Sequence, residues 1–515
     1  MTVVATAAGL VRGTTTVTRR ADVESYLGIP FAAPTTGRRF LAPQPVEPWE
    51  GTRDARRLAA AAPQNADPVL VDGGFWQPPT DEATCLNLNV WTPRADDLER
   101  PVLVWIHGGA YVTGSNATGY NNGAELAASL DVVVVSINYR LGALGFLHLE
   151  PLLGPDYADA ANTAVLDWVL ALQWVQENIR AFGGDPGRVT VFGESAGAAA
   201  VGTLLGMPAA QGLFARAILQ SGTAERARAA EDSSAVVHEL LEAAGLRESE
   251  AERLLDLPIS ELLAAQARVG EAHAARVIGL PLPFQPTIDG RILPRLPLEA
   301  IAAGCSADVD LLAGTNLNEA AFFTMVRPKT RGDGRSPLER LEALLAEDAP
   351  DDPATALIDY RERLDALLGS PATDEQVFES YLSDRLYRQP TNRLLAAREG
   401  ARGGTYAYLF TWPSPLMGGA LGSCHALEVP FVFRQLDRIE SASLVGDRPP
   451  VELSEWISGA WVEFARRGAP RAPALPDWPA YAEPARATMI LDTPPRLVLD
   501  PRGSLREFWS AGVPA

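Results

Sequence analysis

A chain of 515 residues with 47% hydrophobic content can bury a large core, and its length alone permits two to four domains. With 64 acidic against 44 basic residues, the formal charge of −20 excludes the basic surface that nucleic acid or an anionic membrane requires. The three cysteines (Cys85, Cys305, Cys424) are odd in number and far apart, which excludes a disulfide framework and fits a reducing cytoplasm. No run of 18 apolar residues predicts a membrane span, and no C-x-x-C or H-E-x-x-H spacing predicts a metal site.

In chain order, Met1 to Arg12 lacks a basic segment followed by an apolar one, so it reads as a strand entering the fold and not as a signal peptide. Residues 64 to 84, rich in Gly, Pro and Asp, predict a long surface loop. Near-continuous apolar runs at Val102–Ile106, Val132–Ile137, Val189–Phe192, Ala217–Leu219 and Asp310–Ala313 each end in a turn signal. Such runs predict strands buried on both faces, as in a mostly parallel sheet covered by helices. Between two of them, Leu166, Val169, Leu170, Leu172, Val175 and Ile179 form one stripe, predicting a helix over 164–180 that stops at Gly183-Gly184. Alternation of strand and helix predicts an α/β fold. Two charged, aromatic-poor blocks, at about 224–280 and 336–400, predict amphipathic helices packed over the sheet, with a cap over the substrate entrance as the alternative.

The segment Arg188-Val-Thr-Val-Phe-Gly-Glu-Ser-Ala-Gly197 passes from a β-branched run through G-E-S-A-G into the small-residue run Ala198–Leu205. A strand–turn–helix of this kind lifts Ser195 clear of the sheet at a helix N-terminus, where a developing negative charge is favoured. A serine nucleophile needs a base, a group that orients the base, and donors for the oxyanion. His107-Gly-Gly-Ala-Tyr111, directly after a buried strand, predicts backbone donors at Gly109 and Ala110, with a third at Ala196. In folds with this elbow the partners follow in the order serine, acid, histidine. That order sets aside His107 and His148. Of His238, His273 and His425, the first two lie in a charged helical block. His425 follows a predicted strand at Thr405–Phe410 and is the best base. Glu319, just beyond the strand that starts at Asp310, is the best acid; Asp308 and Asp310 fall at the wrong end of that strand, and Asp289 is further away.

Several motifs in one order carry a resemblance: Tyr26-Leu-Gly-Ile-Pro-Phe-Ala-Ala-Pro34, Cys85-Leu-Asn-Leu-Asn-Val-Trp-Thr-Pro93, Ser136-Ile-Asn-Tyr-Arg-Leu-Gly142, Phe182-Gly-Gly-Asp-Pro186, Gln220-Ser-Gly222 and His425-Ala-Leu-Glu-Val-Pro-Phe431. Over nearly its whole length the chain resembles the type-B carboxylesterases of the α/β-hydrolase fold, a group that includes para-nitrobenzyl esterases. The resemblance implies one unit spanning 1–515, a large mostly parallel central sheet flanked by helices, with the two helical insertions serving as cap or regulatory elements. It implies Ser195 as nucleophile, Glu319 as acid and His425 as base, with Gly109, Ala110 and Ala196 as oxyanion donors. Glu194 and Ser221 match polar positions that support such triads. Phe322 and Phe323 fall on the access wall, Leu282 and Phe284 near the acyl side, and Trp76, beside Phe75, in the loop flanking the entrance.

The sequence departs from the family pattern at four places. Ala110 replaces a frequent third glycine, Ala320 replaces the glycine after the acid, and Trp168 stands where relatives often have glutamine. No cysteine some twenty residues before Cys85 is present to pair with it, so Cys85 reads as a buried thiol. The resemblance implies a bacterial serine carboxylesterase that needs no cofactor and no metal. It would act on small neutral esters with hydrophobic or aromatic groups, with no nucleic-acid or membrane partner. An amide, carbamate or thioester hydrolase with the same triad is the alternative, and a non-catalytic binding member of the fold a remote one. Monomer and homodimer both remain open.

Overall fold

The computed structural model describes residues 2–66, 77–326 and 334–510. The apolar runs seen in the sequence pair into one eleven-stranded sheet. From edge to edge its strands are Arg496–Leu499, Ala487–Leu491, Thr405–Phe410, Asp310–Asn316, Arg216–Gln220, Gly184–Glu194, Arg100–Ile106, Val133–Ile137, Asn87–Thr92, Val23–Pro30 and Thr14–Thr16. The seven from Ala487–Leu491 to Val133–Ile137 run parallel, and the edge strands are antiparallel.

Alternation along each central strand feeds two cores. Val102, Val104, Ile106, Val189, Val191, Ala217 and Leu219 point to one face, where the helices Thr163–Asn178 and Ala196–Leu205 pack. Leu103, Trp105, Phe192, Ile218 and Leu312 point to the other, beneath Ala124–Leu130 and Val451–Arg467. Period-two alternation with both faces apolar is why these strands read as continuous runs.

Three boundaries differ from expectation, each for a physical reason. The strand expected at Val189–Phe192 begins at Gly184, because Gly184 pairs with Arg100 although Asp185, Pro186 and Gly187 give no apolar signal. The helix expected over 164–180 is α only to Asn178 and tightens to a 3₁₀ turn at Ile179–Phe182 before Gly183. The N-terminal strand Val3–Thr6 turns back on Gly9–Arg12 in a separate three-stranded sheet. Within 224–280 lie helices Ala230–Ala243 and Ile259–Arg276. Within 336–400 lie Pro337–Asp348, Pro353–Leu368, Asp374–Ser383 and Gln389–Ala397. The second block shares a core of its own with the C-terminal helix Gly503–Ser510, through Leu341, Leu345, Tyr360, Tyr381, Leu505 and Phe508.

A buried ion pair fixes the first long helix to the sheet. The Arg140 side chain donates to both Asp167 oxygens, at 2.9 and 2.7 Å, and its backbone N–H donates to the same carboxylate at 3.0 Å. Both residues are buried. Removing one partner of such a pair strands a buried charge and typically costs about 3–5 kcal/mol. Asp167→Ala should therefore lower the unfolding free energy measured by denaturant titration by an amount in that range, whereas Asp97→Ala on the surface should leave it nearly unchanged.

Candidate active site

Ser195 sits between the strand Gly184–Glu194 and the helix Ala196–Leu205 with φ 58° and ψ −123°, a conformation L side chains rarely adopt. Its N–H donates to Gln220 O at 2.9 Å, and its carbonyl starts the helix by accepting from Ala199 N. Packing makes the flanking glycines necessary. A Cβ at Gly197 would lie 2.0 Å from Ile106 O, and one at Gly193 would lie 2.5 Å from the Gly197 carbonyl carbon. The turn therefore presents one hydroxyl, held on rigid elements.

His425 is buried and lies across the same site. Its Nδ1–H donates to Glu319 Oε2 at 2.6 Å. Glu319 is buried completely and accepts on its other oxygen from Asn316 N at 2.7 Å. Nε2 of His425 makes no hydrogen bond among the described residues and lies 3.0 Å from Glu194 Oε1. Nε2 is thus not hydrogen-bonded to Ser195 Oγ in this structure. Aromatic rings pack on the imidazole from two sides, Phe323 at 5.1 Å and Tyr387 at 4.8 Å between centroids.

A third carboxylate, Glu428, accepts from Gln220 Nε2 at 3.0 Å and Asn316 Nδ2 at 2.7 Å. Burial pulls the His425 pKa down, but Glu194 first, then Glu319 and Glu428, outweigh it and push it up to about 9. Burial likewise pushes Glu194 up to about 8 against the pull of His425. The two groups titrate as a pair.

The glycine-rich loop lies beside the elbow. Gly109 adopts φ 111°, and a Cβ there would meet Thr113 O at 2.1 Å. Ala110 and Tyr111 follow with φ 55° and 61°. The loop is braced from below, where Tyr139 Oη donates to His107 O at 2.9 Å and the two rings stack at 4.5 Å. Among the described residues the N–H groups of Gly109 and Ala110 donate to nothing, and Ala196 N–H precedes the helix ladder. Burial drives the His107 pKa down to about 4, so its ring acts as a neutral brace.

A small cavity opens beside Ser195. Of the residues singled out from sequence, Ser195, Ala110, Ala196, Ser221 and Leu282 line it. Phe284 instead belongs to the main core at 1% exposure, because Pro283 turns it inward from Leu282. Phe322 packs edge-on to Phe323 at 5.5 Å, and neither lines the cavity. Trp76 and Phe75 lie outside the described residues. Three wall residues carried no local sequence signal: Arg226, Leu386 and Tyr387. The last two sit on a π turn, Asp384–Arg388, and such turns often mark functional sites. The other histidines have duties elsewhere; His238 faces Glu248 at 3.2 Å, His273 faces Glu239 at 2.7 Å, and His148 bonds Ser234 at 2.9 Å. Cys85 and Cys424 are buried free thiols, and burial pushes Cys424 up to about 12. Among the described residues no cluster of three ligating side chains suits a metal, and no helix is long and apolar enough to cross a membrane.

A mostly parallel sheet, a strained serine at a strand–helix elbow and a histidine–carboxylate pair define the α/β-hydrolase class. The carboxylesterase family matches residues 1–509, and the chain belongs to that family. It is 36% identical to the para-nitrobenzyl esterase of Bacillus subtilis (strain 168), over 98% of each chain. It is 34% identical to the phenmedipham hydrolase of Pseudarthrobacter oxydans, over 90% of this chain and 91% of that one. A solved carboxylesterase from Geobacillus stearothermophilus superimposes with a TM-score of 0.86 at 37% identity, covering 99% and 100% of the two chains. The protein is a carboxylic ester hydrolase, a serine carboxylesterase acting on small-molecule esters.

The carboxylates around His425 bear directly on the pH dependence of the reaction. A general base must be unprotonated, and this imidazole is held in its charged form well above the ordinary value near 6.5. The acid limb of kcat/KM should lie alkaline of neutrality. Glu194→Gln, which removes the largest of the raising charges, should move the limb to lower pH. A stopped-flow or pH-stat profile from pH 5 to 10 checks both, and a limb at the ordinary imidazole value in the unaltered enzyme contradicts the reading.

Proposed function

We propose that the ester is cleaved by two-step acyl transfer, with Ser195 as nucleophile, His425 as base and Glu319 as the group that orients it. His425 Nε2 takes the Ser195 proton as Oγ attacks the ester carbonyl carbon. The carbonyl oxygen becomes an oxyanion held by the N–H groups of Gly109, Ala110 and Ala196, each donor contributing about 3 kcal/mol. The C–O bond to the alcohol breaks, and Nε2 returns its proton to the leaving oxygen. Water then attacks the acyl-enzyme by the same route and releases the acid. Glu319 fixes the Nδ1–H tautomer and stabilises the imidazolium that forms in each step. The observation that carries this reading is the 2.6 Å Nδ1 to Glu319 bond in a buried site beside a serine at φ 58°. Glu194 and Ser221 act as support, Glu194 by setting the charge state of the imidazole.

The alcohol has to lie on the imidazole side to receive its proton. His425 is not part of the cavity wall, so the acyl group occupies the cavity formed by Tyr111, Leu280, Leu282, Leu386 and Tyr387. Those walls favour hydrophobic stems. Phe323, packed on the imidazole, is placed to contact the alcohol portion. We assign the chain as a single unit whose helical blocks shape this entrance, and its unpaired thiols support residence in a reducing cytoplasm.

Ser195→Ala should fold normally and lose turnover of a p-nitrophenyl ester by roughly 10⁶ in kcat. Treatment of the unaltered enzyme with an organophosphate should give a single adduct, located on Ser195 by peptide mass spectrometry. Turnover that survives the substitution, or an adduct elsewhere, would show a different nucleophile.

A further inference from the structure

Arg226 stands out in the wall of the acyl cavity as the only charged residue lining it. It lies six residues beyond the strand Arg216–Gln220, in the segment that carries Ser221, Gly222 and Thr223 along the same wall. Among the described residues its only hydrogen bond runs from Nη2 to Leu386 O, at 3.1 Å, and no carboxylate lies within ion-pairing distance. A guanidinium carries five N–H donors. The acid next to it in sequence does not neutralise it, because Glu225 is held by both arms of Arg393 at 2.6 and 2.8 Å. Nor is Arg228 a substitute, since its Nη2 is committed to Leu282 O at 3.0 Å.

Two further groups on the same wall await a partner. Tyr111 Oη and Ser221 Oγ are buried, belong to residues lining this cavity, and have no hydrogen-bond partner among the described residues. Burial raises the Tyr111 phenol pKa and the Arg226 charge opposes that rise, so the two groups share one field. Buried polar groups without partners are rare and need an explanation. A cation and two unpartnered hydroxyls on the wall that also carries Leu280, Leu282 and Leu386 match one chemistry: an apolar stem that ends in an anionic oxygen acceptor.

We propose that Arg226 is a specificity-determining residue that selects esters whose acyl chain ends in a carboxylate, that is, hemiesters of aliphatic dicarboxylic acids. The inference rests on the assignment of Ser195 as nucleophile and of this cavity to the acyl group, and it narrows the substrate class. The carboxylate takes no part in the reaction. Water adds across the ester C–O bond, the alcohol leaves with its proton, and the second carboxylate departs unchanged in the released diacid. Arg226 is needed for charge as well as geometry, because Glu194, Glu319 and Glu428 crowd the neighbouring triad and would repel an uncompensated anion.

Benzyl esters test this with matched pairs, the monobenzyl esters of glutaric and adipic acids against benzyl valerate and benzyl hexanoate, read as benzyl alcohol released. Arg226→Met should lower the ratio of kcat/KM for a hemiester to that for its neutral partner by about tenfold or more, the loss of one charge-assisted contact. Arg226→Lys should fall between. In the unaltered enzyme KM for the hemiester should rise with added salt while that for the neutral ester stays flat, a readout that needs no variant. The proposal is overturned if Arg226→Met lowers both substrates equally, if salt affects them alike, or if the unaltered enzyme cleaves neutral esters and ignores hemiesters. Failure of the folded, unaltered enzyme on both members of a pair would instead overturn the assignment of Ser195 beneath it.

Discussion

Complete burial of the Glu319 carboxylate is the constraint around which this site is organised. A buried carboxylate is tolerated only with donors on its oxygens, and here they come from a backbone N–H at Asn316 and the ring of His425. The loop bearing it is clamped from outside the sheet. Ala320 N donates to Ser383 Oγ at 2.8 Å, Asn318 Nδ2 to Glu379 at 3.1 Å, and Arg388 to Leu317 O at 2.7 Å. All three partners lie between residues 379 and 388 of the second helical block. That block therefore does two jobs with one set of contacts: it fixes the acid and, through Leu386 and Tyr387, walls the cavity. The coupling explains why a helical insertion with its own core is still held against the catalytic edge.

The same concentration of negative charge decides the state of the imidazole. One carboxylate beside a histidine is enough to orient it. Glu194, Glu319 and Glu428 together also push its pKa up against burial, and the imidazole and Glu194 titrate as a pair. From sequence Glu194 reads as a supporting residue, and its position shows what it supports: Glu194 Oε1 lies 3.0 Å from Nε2, the nitrogen proposed to accept the serine proton. In that reading the residue preceding Ser195 acts through His425 and not through the serine.

What could be read from the sequence follows from the range of the interactions. Strands such as Thr405–Phe410 and Arg100–Ile106 were legible because burial on both faces writes an apolar run directly into the chain. The elbow was legible because Gly193 and Gly197 stand in one short motif, although the contact that demands Gly197 is with Ile106 O on another strand. Short motifs at strand ends singled out Ser195, Glu319 and His425, and the structure pairs the last two by a hydrogen bond although 106 residues separate them. The cavity wall was not. Tyr387 reaches the site from a π turn in a block whose local pattern says only amphipathic helix, and Phe284, two residues from a true wall residue, turns into the core instead. Which side of a loop faces a cavity is set by packing between distant segments, and no periodicity records it.

Arg226 belongs to that second category, and its position separates the parts of the site that are fixed from those free to vary. The elbow, the oxyanion loop and the carboxylate-braced histidine are constrained by contacts under 3 Å to backbone or to buried charge. Changing any of them disturbs several others. Among the described residues the Arg226 guanidinium is held by one hydrogen bond, to the Leu386 carbonyl, and it lines the cavity. A side chain in that situation can be replaced without cost to the sheet, the elbow or the acid loop, so its identity answers to what enters the cavity and not to the fold. In a chain carrying an excess of twenty negative charges, the one charged residue of this cavity wall stands beside two hydroxyls that have no partner among the described residues, which is why we propose that it selects the substrate.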